Sequence, residues 1–176
     1  MKCYIPKVLS HAQHLINVPV FKAHQFVLQS SALKNHFGTV RFSNLNSFPV
    51  VLHGDDIKWH IADINANPHI RGKTRLTIVD AILGAGCFFR GDYKRKPTSW
   101  RSLSLGDTPA SIFFSRDPVA VESVLADLVI KEQLANGLEP YSHEYLHIAS
   151  ELGLGVHDHL DGSGNYQKID FSFMKV

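Results

Sequence analysis

The run Leu15-Ile16-Asn17-Val18-Pro19-Val20-Phe21-Lys22-Ala23-His24 ends an apolar stretch with an ammonium group and an imidazole two positions apart. Two-residue spacing places both on one face of an extended strand. Ligands of open α/β sheets bind outside the carboxyl ends of strands, so Lys22 and His24 stand where a site is expected. Lys34 and Asn35 follow shortly in Ala32-Leu33-Lys34-Asn35-His36-Phe37-Gly38. Two lysines, an amide and an imidazole together suit a carboxylate or phosphate ligand, with Lys22 and Lys34 as point charges and Asn35 fixing orientation. The alternative is that both lysines are solvated and His24 is an ordinary loop residue.

Asp80 interrupts the apolar segment Ile78-Val79-Asp80-Ala81-Ile82. A carboxylate buried there costs several kcal/mol unless it is paired, and Lys22 or Lys34 is the natural partner if the strands are neighbours. A strand residue accepting backbone N–H bonds is the competing account. His24 and Asp80 are thus the candidate catalytic pair, as proton carrier and as the group that orients a lysine. His143-Glu144-Tyr145-Leu146-His147 fits H-E-x-x-H, in which two imidazoles one helical turn apart hold zinc and the glutamate is the base. Eleven His in 176 residues make an accidental match easier, and the third His of the extended metzincin pattern is missing. No metal ligand set is therefore favoured, with His143 and His147 the residues concerned. His157, Asp158, His159 and Asp161 form a second set able to bind metal, although the Asp-Gly-Ser-Gly around Asp161 reads as a solvated turn. Asp117 reads as a helix cap, whose helix N-terminus would also receive an anion.

The elements that must position these groups are short. Pro6 to Gln13 opens as a helix, and Leu15 to Phe21 suits one buried strand. A short helix over Leu33–Phe37, capped by Ser30 or Ser31, ends at Gly38 in the left-handed conformation. Ile57, Ile61 and Ile64 mark a helix starting at Asp55 or Asp56 and ending before Pro68. Leu76 to Ile82 does not alternate with polar residues, which predicts a strand covered on both faces. Gly84 to Pro109 is a long basic loop, with Arg90, Lys94, Arg95, Lys96 and Arg101, of the kind that acts as a lid. A strand over Ser111–Ser115 leads to the clearest helix, which has Asp117 as its cap, Pro118 first and Val121, Val124, Leu125, Leu128 and Val129 as its apolar stripe, closed by Gly137. A last helix covers Ser142 to Leu152, stopped by Gly153, and alternating Ile169, Phe171 and Phe173 predict a closing strand.

The chain of 176 residues is the size of one domain, with 44% hydrophobic and 19% charged residues. A net charge of +2 argues against nucleic acid or a membrane surface as partner. Cys3 and Cys87 are too few for a cluster or a four-cysteine zinc site, so any iron-sulfur centre would come from a partner. No apolar run of membrane-spanning or signal length is present, and a cytoplasmic protein is the default expectation. No Gly-rich phosphate loop, G-x-S-x-G elbow or Cys/His nucleophile pair stands out, and no particular cofactor is demonstrable.

In order, INVPVFKAH, ALKNHFG, LTIVDAILG, SRDPVAVES and ELGLG resemble the successive motifs of the domain-of-unknown-function family 362. The resemblance covers about Ile5 to Asp170 and adds weight to Lys22, His24, Lys34, Asn35 and Asp80 acting together. Some relatives are joined to ferredoxin-type modules, which implies a redox setting for those members and an iron-sulfur protein as a partner. Relatives carry a further region ahead of the Lys-x-His strand, so the chain corresponds to the later portion of the domain. The expectation is a single α/β domain over residues 1–176, with a mainly parallel central sheet and helices on both faces, binding a small anionic ligand at strand ends. The alternatives are a non-catalytic accessory module for an iron-sulfur partner and a zinc-dependent hydrolase acting through His143, Glu144 and His147.

Overall fold

A computed structural model describes residues 3–42, 52–85, 100–103 and 108–175. The elements run β1 (Cys3–Tyr4), α1 (Lys7–His11), β2 (Leu15–Asn17), β3 (Val20–Ala23), β4 (Gln29–Ser30), a 3-10 helix (Lys34–Gly38), β5 (Arg41–Phe42), α2 (Ile57–Ala66), α3 (Pro68–Arg71), β6 (Thr74–Ala85), β7 (Ser111–Ser115), α4 (Pro118–Ala135) and α5 (Glu144–Glu151). β6 is the spine of the sheet. Thr77 faces Asn17 of β2 on one side and Ser115 of β7 on the other, while Asp80 lies between Val20 of β3 and Ile112 of β7. β2 and β3 therefore share one edge of β6, both parallel to it, while β7 runs antiparallel along the other edge and β4 runs antiparallel to β3. The α/β class holds, with a mixed sheet. β1 and β5 form a separate antiparallel pair.

The expected single strand over Leu15–Phe21 is two strands, because Pro19 has no N–H for a ladder and interrupts the pairing. Its carbonyl still accepts from Asp80 N at 2.9 Å, which keeps β3 in line with β6. Between Val20↔Asp80 and Lys22↔Ala85 the register shifts, and Gly84 occupies that irregularity with φ +40°. Only glycine takes such a φ without strain. Trp100 closes over this point, its Nε1 donating to the Gly84 carbonyl at 2.8 Å while its ring packs on Phe21.

The core lies on one face of the sheet. Phe21, Ala23, Val79 and Ala81 point into it and meet Ile61, Leu125, Val129, Tyr145 and Leu146 from α2, α4 and α5. The opposite face presents Ile16, Val20, Ile82, Ile112 and Phe114, each at least half exposed. The reading of β6 as covered on both faces is corrected accordingly: its lack of polar alternation reflects an apolar outer face among the described residues, with no second layer of core on it.

α4 starts as its sequence dictates. Asp117 Oδ1 accepts from Val119 N and Ala120 N at 2.8 and 2.9 Å, with Pro118 in the first turn. Gly137 and Gly153 follow α4 and α5 at φ +71° and +68°. Gly38 does not take that role, since it lies inside the 3-10 helix without a positive φ. Pro68 both follows α2 and begins α3, where Asn67 Oδ1 accepts from His69 N. The expected strand over Ile169–Phe173 does not form: this segment has no pairing partner among the described residues, and Phe171 and Phe173 are exposed. Most of the basic loop, including Arg90, Lys94, Arg95, Lys96 and Cys87, lies outside the described residues, while Arg101 is exposed. Among the described residues no helix is long and apolar enough to cross a membrane.

Candidate functional site

Lys22, next to last in β3, lies on the outer side of the sheet, and after Ala23 the chain turns at His24, whose backbone N–H donates to Leu28 O at 3.2 Å. The His24 Nδ1 accepts from Phe26 N at 3.2 Å, so the neutral ring carries its proton on Nε2. Beyond β4, residues 31–35 bring Lys34 back to this turn. Side chains from three other elements clamp that segment. Glu122 Oε2 of α4 accepts from Ser31 Oγ at 2.6 Å and Leu33 N at 3.0 Å. Asn17 of β2 donates to Ala32 O and Asn65 of α2 to Leu33 O, both at 2.7 Å. Glu122 is fully buried, and its Oε1 accepts from Tyr145 OH at 2.9 Å. Burial pushes the Glu122 carboxyl above its usual range, against the opposing bonds from Ser31, Leu33, Tyr145 and Ala32.

Held in this way, Lys34 is 7% exposed, its Nζ donating to His53 Nε2 at 2.9 Å and lying 4.7 Å from the Phe37 ring centroid. The His24 ring stacks on His53 at 5.5 Å, and Phe26 flanks both. Burial, reinforced by Lys22, lowers the Lys34 pKa to about 8, with Glu122 opposing. Burial also takes His24 down to about 3, helped by Lys34, His53 and Lys22. His24 is therefore a neutral Nε2–H donor near pH 7, beside two ammonium groups. The structure thus brings Lys22, His24 and Lys34 together and adds His53. Asn35 and Asp80 stand apart from this group: Asn35 Nδ2 donates to Asn17 Oδ1 at 2.7 Å, supporting the clamp, and Asp80 Oδ1 accepts from Ile82 N at 3.0 Å within its own strand.

A second group of side chains gathers between α4, the start of α5 and the tail. His143 occupies the position before α5, and His147 is exposed one turn later. After α5 the tail returns along α4, tied by two carboxylates of that helix. Asp117 Oδ2 accepts from Val156 N at 2.8 Å, and Asp127 Oδ2 accepts from Leu160 N and Tyr166 OH at 3.0 and 2.9 Å. Gly155 lies so close to Asp117 that an added Cβ would sit 1.9 Å from its Oδ1. The tie delivers His157 and His159 to His143: the rings of His143 and His159 lie 4.9 Å apart, His157 and His159 4.7 Å, and His147 and His157 4.4 Å. Burial and the neighbouring imidazoles lower His143, and lower His157 to about 4, with Asp127 opposing in both. Asp158 and Asp161 do not face the rings. Asp158 Oδ2 accepts from Gln167 N and Lys168 N, and Asp161 Oδ1 closes the turn through Ser163 and Asn165. Glu144 is likewise occupied, accepting from Lys58 Nζ at 2.7 Å.

His53, Asn17, Asn65 and Glu122 escaped the sequence reading because each acts across 15 or more positions. The one local signal was Glu122 itself, a charge one helical turn from Leu125 and beside Val121 of the α4 apolar stripe. Residues 1–127 match the family described as Domain of unknown function (DUF362). No curated protein and no solved structure matches the chain.

Proposed function

From the membership of this chain in the DUF362 family, whose match over residues 1–127 contains every residue of the Lys22–His24–Lys34–His53 cluster, we propose that the shared function is binding of a small anionic ligand at the end of β3. The observation that carries this reading is Lys34: a buried ammonium whose hydrogen-bond partner among the described residues is an imidazole, with two further basic groups beside it. Bringing like charges together in a partly dry site is unfavourable, and each depresses the protonation of its neighbours. A bound carboxylate or phosphate reverses the sign of that interaction, taking charge-assisted bonds from Lys22 and Lys34 and a neutral bond from His24 Nε2–H. The clamp on residues 31–35 fixes Lys34 before the ligand arrives, so little ordering cost remains at binding.

Isothermal titration of the full chain with inorganic phosphate, pyrophosphate and citrate tests this. At least one of these anions is expected to bind and to raise the melting temperature. Lys34→Met, which keeps the buried stem, removes one charge-assisted bond worth about 1.5–3 kcal/mol, or roughly 10- to 150-fold in affinity. Lys22→Ala, at an exposed position, is expected to weaken binding less. Equal affinity in the parent and both variants across the panel refutes the reading.

A further inference from the structure

We propose that His143, His157 and His159 form a three-imidazole site for a transition-metal dication of the zinc class, with a fourth position open toward the surface pocket at His143 and His147. The site lies beyond the region that defines the family match, so it is a property of this chain independent of the anion cluster.

Three imidazole nitrogens, one from each of these residues, lie within 4.8 Å of one another. The hydrogen bonds behind two of the rings set their tautomers. Ser123 Oγ donates to Val119 O at 2.9 Å, so its 2.8 Å contact with His157 Nδ1 requires the hydroxyl oxygen to accept from Nδ1–H. His157 Nε2 is therefore a bare lone pair, and it is buried with no hydrogen-bond partner among the described residues. Such an orphan acceptor in a native fold calls for a partner. His159 Nδ1 donates to Asp127 Oδ1 at 2.6 Å, which leaves the His159 Nε2 lone pair facing His143 Nε2 at 3.2 Å. A carboxylate behind a ligating imidazole is the recurrent outer partner of metal-bound His, fixing the ring and raising its basicity.

The spacing fits. Tetrahedral zinc with Zn–N bonds of about 2.0–2.1 Å holds its nitrogens roughly 3.3 Å apart, close to the observed His143–His159 distance. The widest gap of the trio then closes by at most about 1.5 Å, a movement available to side chains of the tail. Beside the trio a pocket of about 350 Å³, lined by Tyr141, His143, Glu144 and His147 among others, gives a path for ion and ligand. Three protein ligands with one open position is the arrangement of zinc sites that hold water or substrate. The ligand set differs from the H-E-x-x-H pattern: His143 is common to both, while Glu144 is directed to Lys58.

Titration of the metal-stripped full chain with Co²⁺ alone, read by visible d–d absorption, and with Zn²⁺ alone, read by calorimetry, decides the matter. One equivalent of each is expected to bind, with a tetrahedral or five-coordinate cobalt spectrum. His157→Ala and His159→Ala are each expected to reduce affinity by about 100-fold or more, and Asp127→Asn by about 10- to 100-fold. Glu144→Gln is expected to change it less than about threefold. Circular dichroism of each metal-free variant checks folding; if a tail variant misfolds, His143→Gln at the start of α5 reads the same site. Absence of stoichiometric binding by the parent overturns the proposal. So does binding that survives His157→Ala and His159→Ala but fails in His143→Ala and His147→Ala, which would assign the metal to the helical pair.

Discussion

Replacing Glu122 by Ala removes the one acceptor shared by Ser31, Leu33 and Tyr145. The two hydroxyls can rotate toward other partners, whereas the Leu33 N–H is fixed by the backbone and left buried without an acceptor. An unsatisfied buried polar group costs about 1–3 kcal/mol. The vacated side-chain volume, of order 50 Å³, adds about 1 kcal/mol if the core does not collapse. Relief of the buried carboxylate's own desolvation offsets part of this. A net loss of about 2–3 kcal/mol remains, and at roughly 2–4 °C per kcal/mol for a chain of this size the melting temperature falls by about 4–12 °C. Glu122→Gln behaves differently: its Oε1 can keep the bonds from Ser31 and Leu33 while its NH₂ donates to the Tyr145 oxygen, so the loss stays near 1 kcal/mol. Thermal unfolding followed by circular dichroism near pH 7 separates the two. Melting temperatures for the Ala and Gln variants within about 1 °C of each other would refute the claim that this carboxylate organises residues 31–35. Because Lys34 follows directly, the Ala variant is also expected to lose anion affinity while the Gln variant keeps it.

Anion affinity is expected to be highest below the Lys34 pKa of about 8 and to fall as pH rises through it, and a flat profile between pH 7 and 9 in calorimetry would show that Lys34 is not the charge engaged. Burial lowers His36 to about 4, so the unfolded chain binds the extra proton first: this contribution to stability is present above about 6.5 and lost as pH falls toward 4, by about 3 kcal/mol. Urea unfolding of His36→Met at about pH 7 and 4.5 is expected to show a correspondingly smaller acid loss than the parent, and an identical loss would contradict it. Gly155→Ala forces a Cβ onto Asp117, and loss of that cap and tail tie is expected to cost about 1–2 kcal/mol and to expose the Val156 amide to hydrogen exchange. A protected Val156 with an unchanged melting temperature would show that the tail has room to give.

What the sequence made legible was local. Asp117-Pro118 announced the start of α4 because both cap and proline act within one turn, and Gly137 and Gly153 announced ends that need a left-handed residue. Lys22, His24 and Lys34 were found by residue type at a strand end, and the turn that gathers them needs only Phe26, Leu28 and the clamp. Asp80 was open to two accounts, a buried ion pair or an acceptor of backbone N–H bonds. Its side chain faces the outer side of β6 and accepts from Ile82 N, at a position partly open to solvent, as the second account has it. Ile169, Phe171 and Phe173 alternate convincingly, but alternation describes one strand and says nothing of whether a neighbour exists to pair with it. His157 and His159 looked like part of a polar turn because the carboxylates that place them, Asp117 and Asp127, lie on α4, more than 30 positions away.

The tail from Val156 to Lys168 owes its order to separate carboxylates, Asp117, Asp127, Asp158 and Asp161, each gripping its own stretch of backbone. A helix or ladder unzips from a broken rung, whereas fastenings of this kind fail one at a time. Damage to the tail is therefore graded: losing one acid frees a few residues and leaves the remaining stretches in register. Sequence change can accumulate between the fastening points without dislodging the imidazoles they carry, and a single substitution at Asp127 does more than several in the exposed Gly162–Asn165 turn.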